Sequence, residues 1–197
     1  MKTNQDYKNA ALAALKGNWP QAVLLSFVFL TINIIGAYCF PIALLVSLPL
    51  TVGFYTSFRL LCIEGQANLT ENAFKIGFGN YGRHLGGMLL MTLYVLGWSI
   101  LLIVPGIIKS FSYALTPFIL VENPELSANE AIELSMKMMD GHKLDLFILY
   151  LSFIGWCLLS ILTLYIGMLW VMPYMYTSMA AFYEDVKAEY ESTAVVA

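Results

Sequence analysis

Three stretches of this chain, 17–58, 85–121 and 146–183, carry no charged side chain except Lys109. Each holds about 37 to 42 residues, and a straight helix that long would be nearly twice the roughly 30 Å thickness of bilayer hydrocarbon. Each stretch must therefore fold back on itself. A soluble domain is excluded on composition, because 12% of residues are charged and 59% hydrophobic, against about one quarter and just under one half in soluble domains. Lipid is the expected solvent and partner. The net charge of -3 comes without any basic tract, which excludes nucleic acid.

Helix-breaking residues mark a turn in each stretch: Gly36 with Pro41, Pro105 with Gly106, and Gly167. No turn holds a charge, so each connection is short and its tip barely clears the far side. The expected spans are 20–38, 41–62, 85–104, 106–121, 146–164 and 167–184. Nine of the ten Lys and Arg residues (Lys2, Lys8, Lys16, Arg59, Lys75, Arg83, Lys137, Lys143 and Lys187) fall on the side of the termini and the two longer connections. Only Lys109 lies toward the tips. This asymmetry puts both termini in the cytoplasm, and an even number of spans agrees. Polar or mixed residues precede the first apolar run, with no small-x-small site after it, which argues against a cleaved signal peptide. Cys39, Cys62 and Cys157 lack metal or disulfide spacing and read as buried thiols.

The connections carry structure of their own. Ser127 and Glu130 form a capping box ahead of a helix reaching Asp140, with Gly141 as its stop. Ala128, Ile132, Ser135 and Met139 share one face of that helix, opposite Glu130, Glu133 and Lys137, as in a helix lying at an interface. Weaker versions run from Thr70 to Tyr81 before Gly82 and from Asp6 to Lys16 before Gly17. Short amphipathic helix, glycine, polar pair and hairpin thus recur every 56 to 68 residues or so, which suggests a threefold internal repeat over 1–64, 65–125 and 126–197 in a single domain. The expected fold is an all-α polytopic membrane protein, with six transmembrane helices in three hairpins and short cytoplasmic amphipathic helices.

Candidate sites are few. Lys109, the lone intramembrane charge, either snorkels to the outer surface or contacts a lipid phosphate. Arg59 is an interfacial anchor that could pair with Glu64 or meet lipid phosphate. Asn33 should bond a neighbouring helix or touch a ligand. Arg83, His84, His142 and Lys143 sit at headgroup level, where the two histidines could sense pH or metal only if the repeats pack side by side. Glu122, Glu184 and Asp185 read as solvated helix ends. No catalytic motif and no carboxylate within an apolar core points to an enzyme, a metal or a cofactor.

Val104-Pro105-Gly106-Ile107-Ile108-Lys109, Thr116-Pro117-Phe118-Ile119-Leu120, Glu122-Asn123-Pro124 and Ser127-Ala128-Asn129-Glu130-Ala131-Ile132 resemble a bacterial integral-membrane family known as domain of unknown function 975. Ala14-Leu15-Lys16-Gly17-Asn18-Trp19 and Ala180-Ala181-Phe182-Tyr183 extend the resemblance over nearly the whole chain. It implies a multi-pass protein of the bacterial plasma (inner) membrane and brings no activity or catalytic residue with it. The expected role is non-enzymatic, as a scaffold, membrane-organising or accessory protein, alone or with a membrane-protein partner or a second copy. The alternative is a transporter or channel subunit, whose pore an oligomer could build around Asn33, Thr31 and Thr92.

Overall fold

Two capping boxes start helices in the computed structural model, which describes residues 2–39, 41, 43–65 and 68–196. Thr3 with Asp6 opens α1 (Asn4–Leu15), and Ser127 with Glu130 opens α8 (Ala128–Met138). Gly17 and Gly141 follow at φ 86° and 85°, a left-handed conformation that glycine adopts without penalty. Gly82, the expected third counterpart, instead lies inside a helix. The break falls two residues earlier, at the non-helical Asn80, between α4 (Leu69–Gly79) and α5 (Tyr81–Leu101).

The apolar stretches supply the other helices. α2 (Trp19–Tyr38) leads toward a π-helical turn, Ala43–Ser47, which runs into α3 (Leu48–Glu64). Phe40 and Ile42, at the expected first turn and the start of the second span, lie outside the described residues, as do Gln66 and Ala67 at the expected repeat boundary. The single extended residue Leu102 separates α5 from α6 (Ile103–Ser112). A tight turn at 113–115 then leads to α7 (Thr116–Glu122). α9 (Lys143–Leu151), α10 (Ile154–Leu162) and α11 (Met168–Val196) complete the chain, and no strand occurs among the described residues.

Five segments are long and apolar enough to cross a membrane: Trp19–Tyr38, Leu44–Glu64, Tyr81–Leu101, Ile103–Glu122 and Lys143–Leu162. The expected sixth, 167–184, is the first part of the 29-residue α11. Tyr174, Tyr176, Thr177 and Ser178 dilute its apolar character, and it continues through Glu184, Asp185 and Lys187. The protein is an all-helical membrane protein by these segments, with α11 built for a protein environment.

The centre of the fold is formed by α3, α7 and α11. Phe118 of α7 stacks on Tyr183 of α11 at 4.5 Å and meets the edge of Tyr55 of α3 at 5.5 Å, while Tyr55 meets Tyr176 at 4.8 Å. Edge and stacked pairs of this kind add about 0.5–1.5 kcal/mol beyond area burial.

Each central helix is flanked by one short helix. α4 packs against α3, where Gly53 touches the Ala73 carbonyl and a Cβ on Gly77 would come within 2.8 Å of Pro49 O. α8 packs against α5 and α7, and its Ser135 Oγ donates to Ser112 O at the end of α6 at 2.8 Å and accepts from the Leu115 N–H at 3.2 Å. α1 packs against α11, where the Tyr7 hydroxyl donates to Asp185 Oδ2 at 2.7 Å. All three short helices turn charge outward: Asp6 on α1, Glu71 and Lys75 on α4, and Glu130, Glu133 and Lys137 on α8 are exposed.

The tips are the reverse. Tyr38 is 90% exposed, Ile100 78%, Ile103 75%, Leu162 80% and Leu164 85%, and all are apolar or aromatic. No protein covers them, and water would be a poor solvent for them.

Candidate functional site

The main concentration of charge inside the fold lies where the C-terminal half of α3, the end of α7 and the middle of α11 converge. Pro49 sits in the first turn of α3 and Gly65, at φ 66°, caps its end. Between them the helix buries Phe54, Phe58 and Leu61, and this packing carries Arg59 inward until it is only 8% exposed. Its guanidinium pairs with Glu122 of α7 and Glu184 of α11 and lies 5.3 Å from the centroid of the Tyr183 ring. Glu122 also accepts from the Tyr183 hydroxyl and from Lys187 Nζ, the latter at 2.9 Å. Two cations and two carboxylates balance, so the cluster has little net charge to offer a ligand. Its chemistry is that of a clamp. Removing one member of such a pair strands a poorly solvated charge, at a cost of about 3–5 kcal/mol.

This arrangement changes three expectations. Arg59 is bound by two other helices of the chain and so is not a surface anchor. Glu122 and Glu184 are not solvated ends, because Arg59 draws them into the interior. Their signal in the sequence was faint: one ionisable residue directly follows the uncharged stretch in each third of the chain.

Arg83 holds the connection that presents Glu122. Its Nε donates to Leu120 O at 3.2 Å and its Nη2 to Asn123 O at 2.6 Å, and its Nη1 donates to Leu126 O. The planar guanidinium thus gathers the carbonyls left unpaired at the end of α7. His84, next in sequence, is buried with Nδ1 3.0 Å from Gly77 O. His142 has different neighbours, Asp145 and Glu189, each at 3.6 Å, and Lys143 lies 3.7 Å from Asp140. The histidines therefore have separate surroundings, and no cluster of three or more metal-ligating residues occurs among the described residues.

Asn33 donates to Phe29 O of its own helix at 2.8 Å, so the expected bond to a neighbouring helix is replaced by a local one. Lys109 is half-buried. Its Nζ lies 3.6 Å from Met136 Sδ on α8 and 5.3 Å from the Trp98 ring centroid. Its amine thus lies between Met136 of the polar-faced helix and the rings of Trp98 and Tyr113.

The N-terminus is tied to α11 through Asp185. Burial would raise this carboxyl, but the Lys2 N–H at 2.9 Å, the Tyr7 hydroxyl and the Lys2 charge outweigh burial and lower it. Burial, followed by the bond to Asp185, pushes the Tyr7 hydroxyl up. The Lys8 ammonium donates to Ser152 O at 3.0 Å and lies 4.6 Å from the Phe153 ring centroid, and burial lowers it.

A cavity of about 290 Å³ lies between α3, α5, α6, α7 and α9, with Thr51, Tyr55, Ser110 and Tyr150 among its lining residues. A second, of about 300 Å³, is bounded by Leu12, Trp19, Trp156, Trp170, Val171 and Tyr174. Neither has a charged lining residue.

Residues 38–190 match the family model described as protein of unknown function (DUF975). The chain belongs to the DUF975 family. The match takes in α3, α7 and α11 as far as Tyr190, with Arg59, Glu122, Glu184 and Lys109. No curated protein and no solved structure matches this family member.

Proposed function

We propose that this protein is a non-enzymatic membrane organiser, a scaffold or accessory protein of a bacterial plasma membrane. Its six apolar segments would form three hairpins of one repeated unit, with both termini and the long connections on the cytoplasmic side. The observation that carries this reading is the division of its surface: charge on the outer faces of α1, α4 and α8, and apolar side chains at the three tips. Such a surface interacts with a bilayer over its whole outline, while the internal charges neutralise one another. The repeat is supported by three central helices that each bring one ionisable residue to a common point and each carry one short polar-faced helix. The nine-to-one distribution of Lys and Arg supports the orientation.

Reconstitution tests the role. Purified protein in vesicles of bacterial lipid should change vesicle shape or size distribution in proportion to its density, or assemble with a second copy detectable by cross-linking. Vesicles of unchanged shape containing only monomers would remove the basis of the reading. The roughly 290 Å³ cavity with Thr51, Tyr55, Ser110 and Tyr150 favours a second reading, a transporter or channel subunit. Solute or ion flux through the same vesicles would support that reading and count against the first.

A further inference from the structure

We infer that the three hairpin tips end inside the bilayer at about the depth of one leaflet, making the protein a three-pronged wedge inserted from its charged side. This rests on the membrane-organising reading above and names the surface it would act on, the acyl chains of a single leaflet.

The second hairpin shows the reasoning most clearly. If it crossed the bilayer, α8 should lie wholly below it, since the outer face of α8 exposes Glu130, Glu133 and Lys137. Instead α8 lies beside the hairpin. The Tyr94 hydroxyl donates to Asn129 Oδ1 at 2.9 Å, and Lys109 Nζ reaches Met136 Sδ at 3.6 Å. Charges beside those contacts are costly in hydrocarbon, so they mark the level of headgroups and water. Beyond that level about eight residues remain on the rising arm, from Tyr94 to Leu102, and about six on the returning arm, from Lys109 to Ile103. At about 1.5 Å per residue they extend roughly 9–12 Å, well short of the roughly 30 Å of hydrocarbon.

The other hairpins repeat the geometry. On the third, the Lys8 ammonium of α1 holds Ser152 O at 3.0 Å, leaving about nine residues, or some 14 Å of helix, from Phe153 to Leu162. On the first, α4 covers α3 as far as Pro49, and the Tyr81 hydroxyl reaches Leu45 O at 3.0 Å. Only six positions of sequence then separate Leu45 from Cys39. The third tip, Leu164 to Ile166, borders an apolar groove together with Phe27, Leu30 and Ile34 of α2.

A wedge also removes the one exception to the charge pattern. Lys109 lies beside the short polar-faced helix that bears Lys137, so all ten basic residues belong to one side of the membrane. The tips need no charged or turn-forming polar residue because they never reach water.

Depth-dependent quenching tests this directly. The full chain with Cys39, Cys62 and Cys157 replaced by Ala would carry one cysteine at a time, at Leu102→Cys, Leu164→Cys or Lys137→Cys, labelled with an environment-sensitive fluorophore. It would be placed in phosphatidylcholine vesicles bearing quenchers at the headgroup or deep in the acyl chain. The inference expects both tip labels to be quenched several-fold more by the deep quencher, and Lys137→Cys by the headgroup quencher or neither. In sealed membranes of known orientation, a membrane-impermeant thiol reagent should reach Lys137→Cys from one face and the tip cysteines from neither. Reaction of a tip from the face opposite Lys137→Cys would establish crossing and overturn the inference, as would tip quenching no deeper than that of Lys137→Cys. Deep tips in vesicles of unchanged shape, with no oligomer, would leave the wedge standing and remove the organising role.

Discussion

Glu122→Ala is the most informative single perturbation of the interior. The substitution removes the partner that Arg59, the Tyr183 hydroxyl and Lys187 Nζ share. The Lys187 pair contributes little, because its side chain is 30% exposed and such pairs are worth about 0–1 kcal/mol. The pair with Arg59 is another matter. With side chains 10% and 16% exposed, it lies at the buried end of the range, where loss of one partner costs about 3–5 kcal/mol. Glu184 still faces Arg59, so the lower figure applies, about 3 kcal/mol. At about 2–4 °C per kcal/mol for a chain near this size, the midpoint should fall by about 6–12 °C. Thermal unfolding in detergent, followed by circular dichroism, reads this, and the triple variant Arg59→Met, Glu122→Leu, Glu184→Leu should recover most of the loss because no buried charge is then stranded, the part-exposed Lys187 keeping Glu191 at 3.9 Å. A fall under about 1 kcal/mol for Glu122→Ala would refute the assignment of this cluster as a clamp. So would a triple variant worse than the single one.

Further expectations concern other parts of the fold. Arg83→Lys cannot reach three carbonyls with one ammonium, and we expect a loss of about 1–3 kcal/mol in the same assay, with faster amide exchange around Asn123. Gly53→Ala drives a methyl group into the Ala73 carbonyl and should separate α3 from α4 at about 3 kcal/mol or more, whereas Gly79→Ala, with open space around it, should cost under about 1 kcal/mol. Asp185 has a lowered folded pKa, so its contribution to docking α1 is present above the ordinary carboxylate range and is lost as pH falls through the folded value. Tyr7 has a raised one, so its contribution holds below the ordinary tyrosine pKa and is lost as pH rises through the folded value. Proteolytic release of the N-terminal segment should thus be slowest at intermediate pH and faster at both extremes, and Asp185→Asn should remove the acid limb.

The uncharged stretches, the turn near Gly167 and the Ser127 capping box were legible in the sequence because each depends on neighbours a few residues apart, whereas the second turn, expected at Pro105 and Gly106, falls at Leu102 and leaves both residues inside α6. The surroundings of the helices were less so. An apolar run buried among other helices and one facing lipid have the same composition, so the sequence did not distinguish the protein-covered surfaces of α3 and α11 from lipid-facing ones. Glu122 and Glu184 looked solvated because their partner Arg59 lies some sixty residues from the nearer of them, beyond the reach of any local pattern. Lys109 stood out as a lone charge, but the sequence could not say that Met136 and Trp98 would be its neighbours.

The proposed membrane placement turns on α1, α4 and α8 sharing one aqueous side. Cysteines at Asn9, Lys75 and Lys137, introduced singly into a background lacking the native three, would be exposed to a membrane-impermeant thiol reagent in sealed right-side-out and inverted vesicles. All three should react from the same face and at similar rates. Reaction from opposite faces, or protection of any one of them from both, would contradict it.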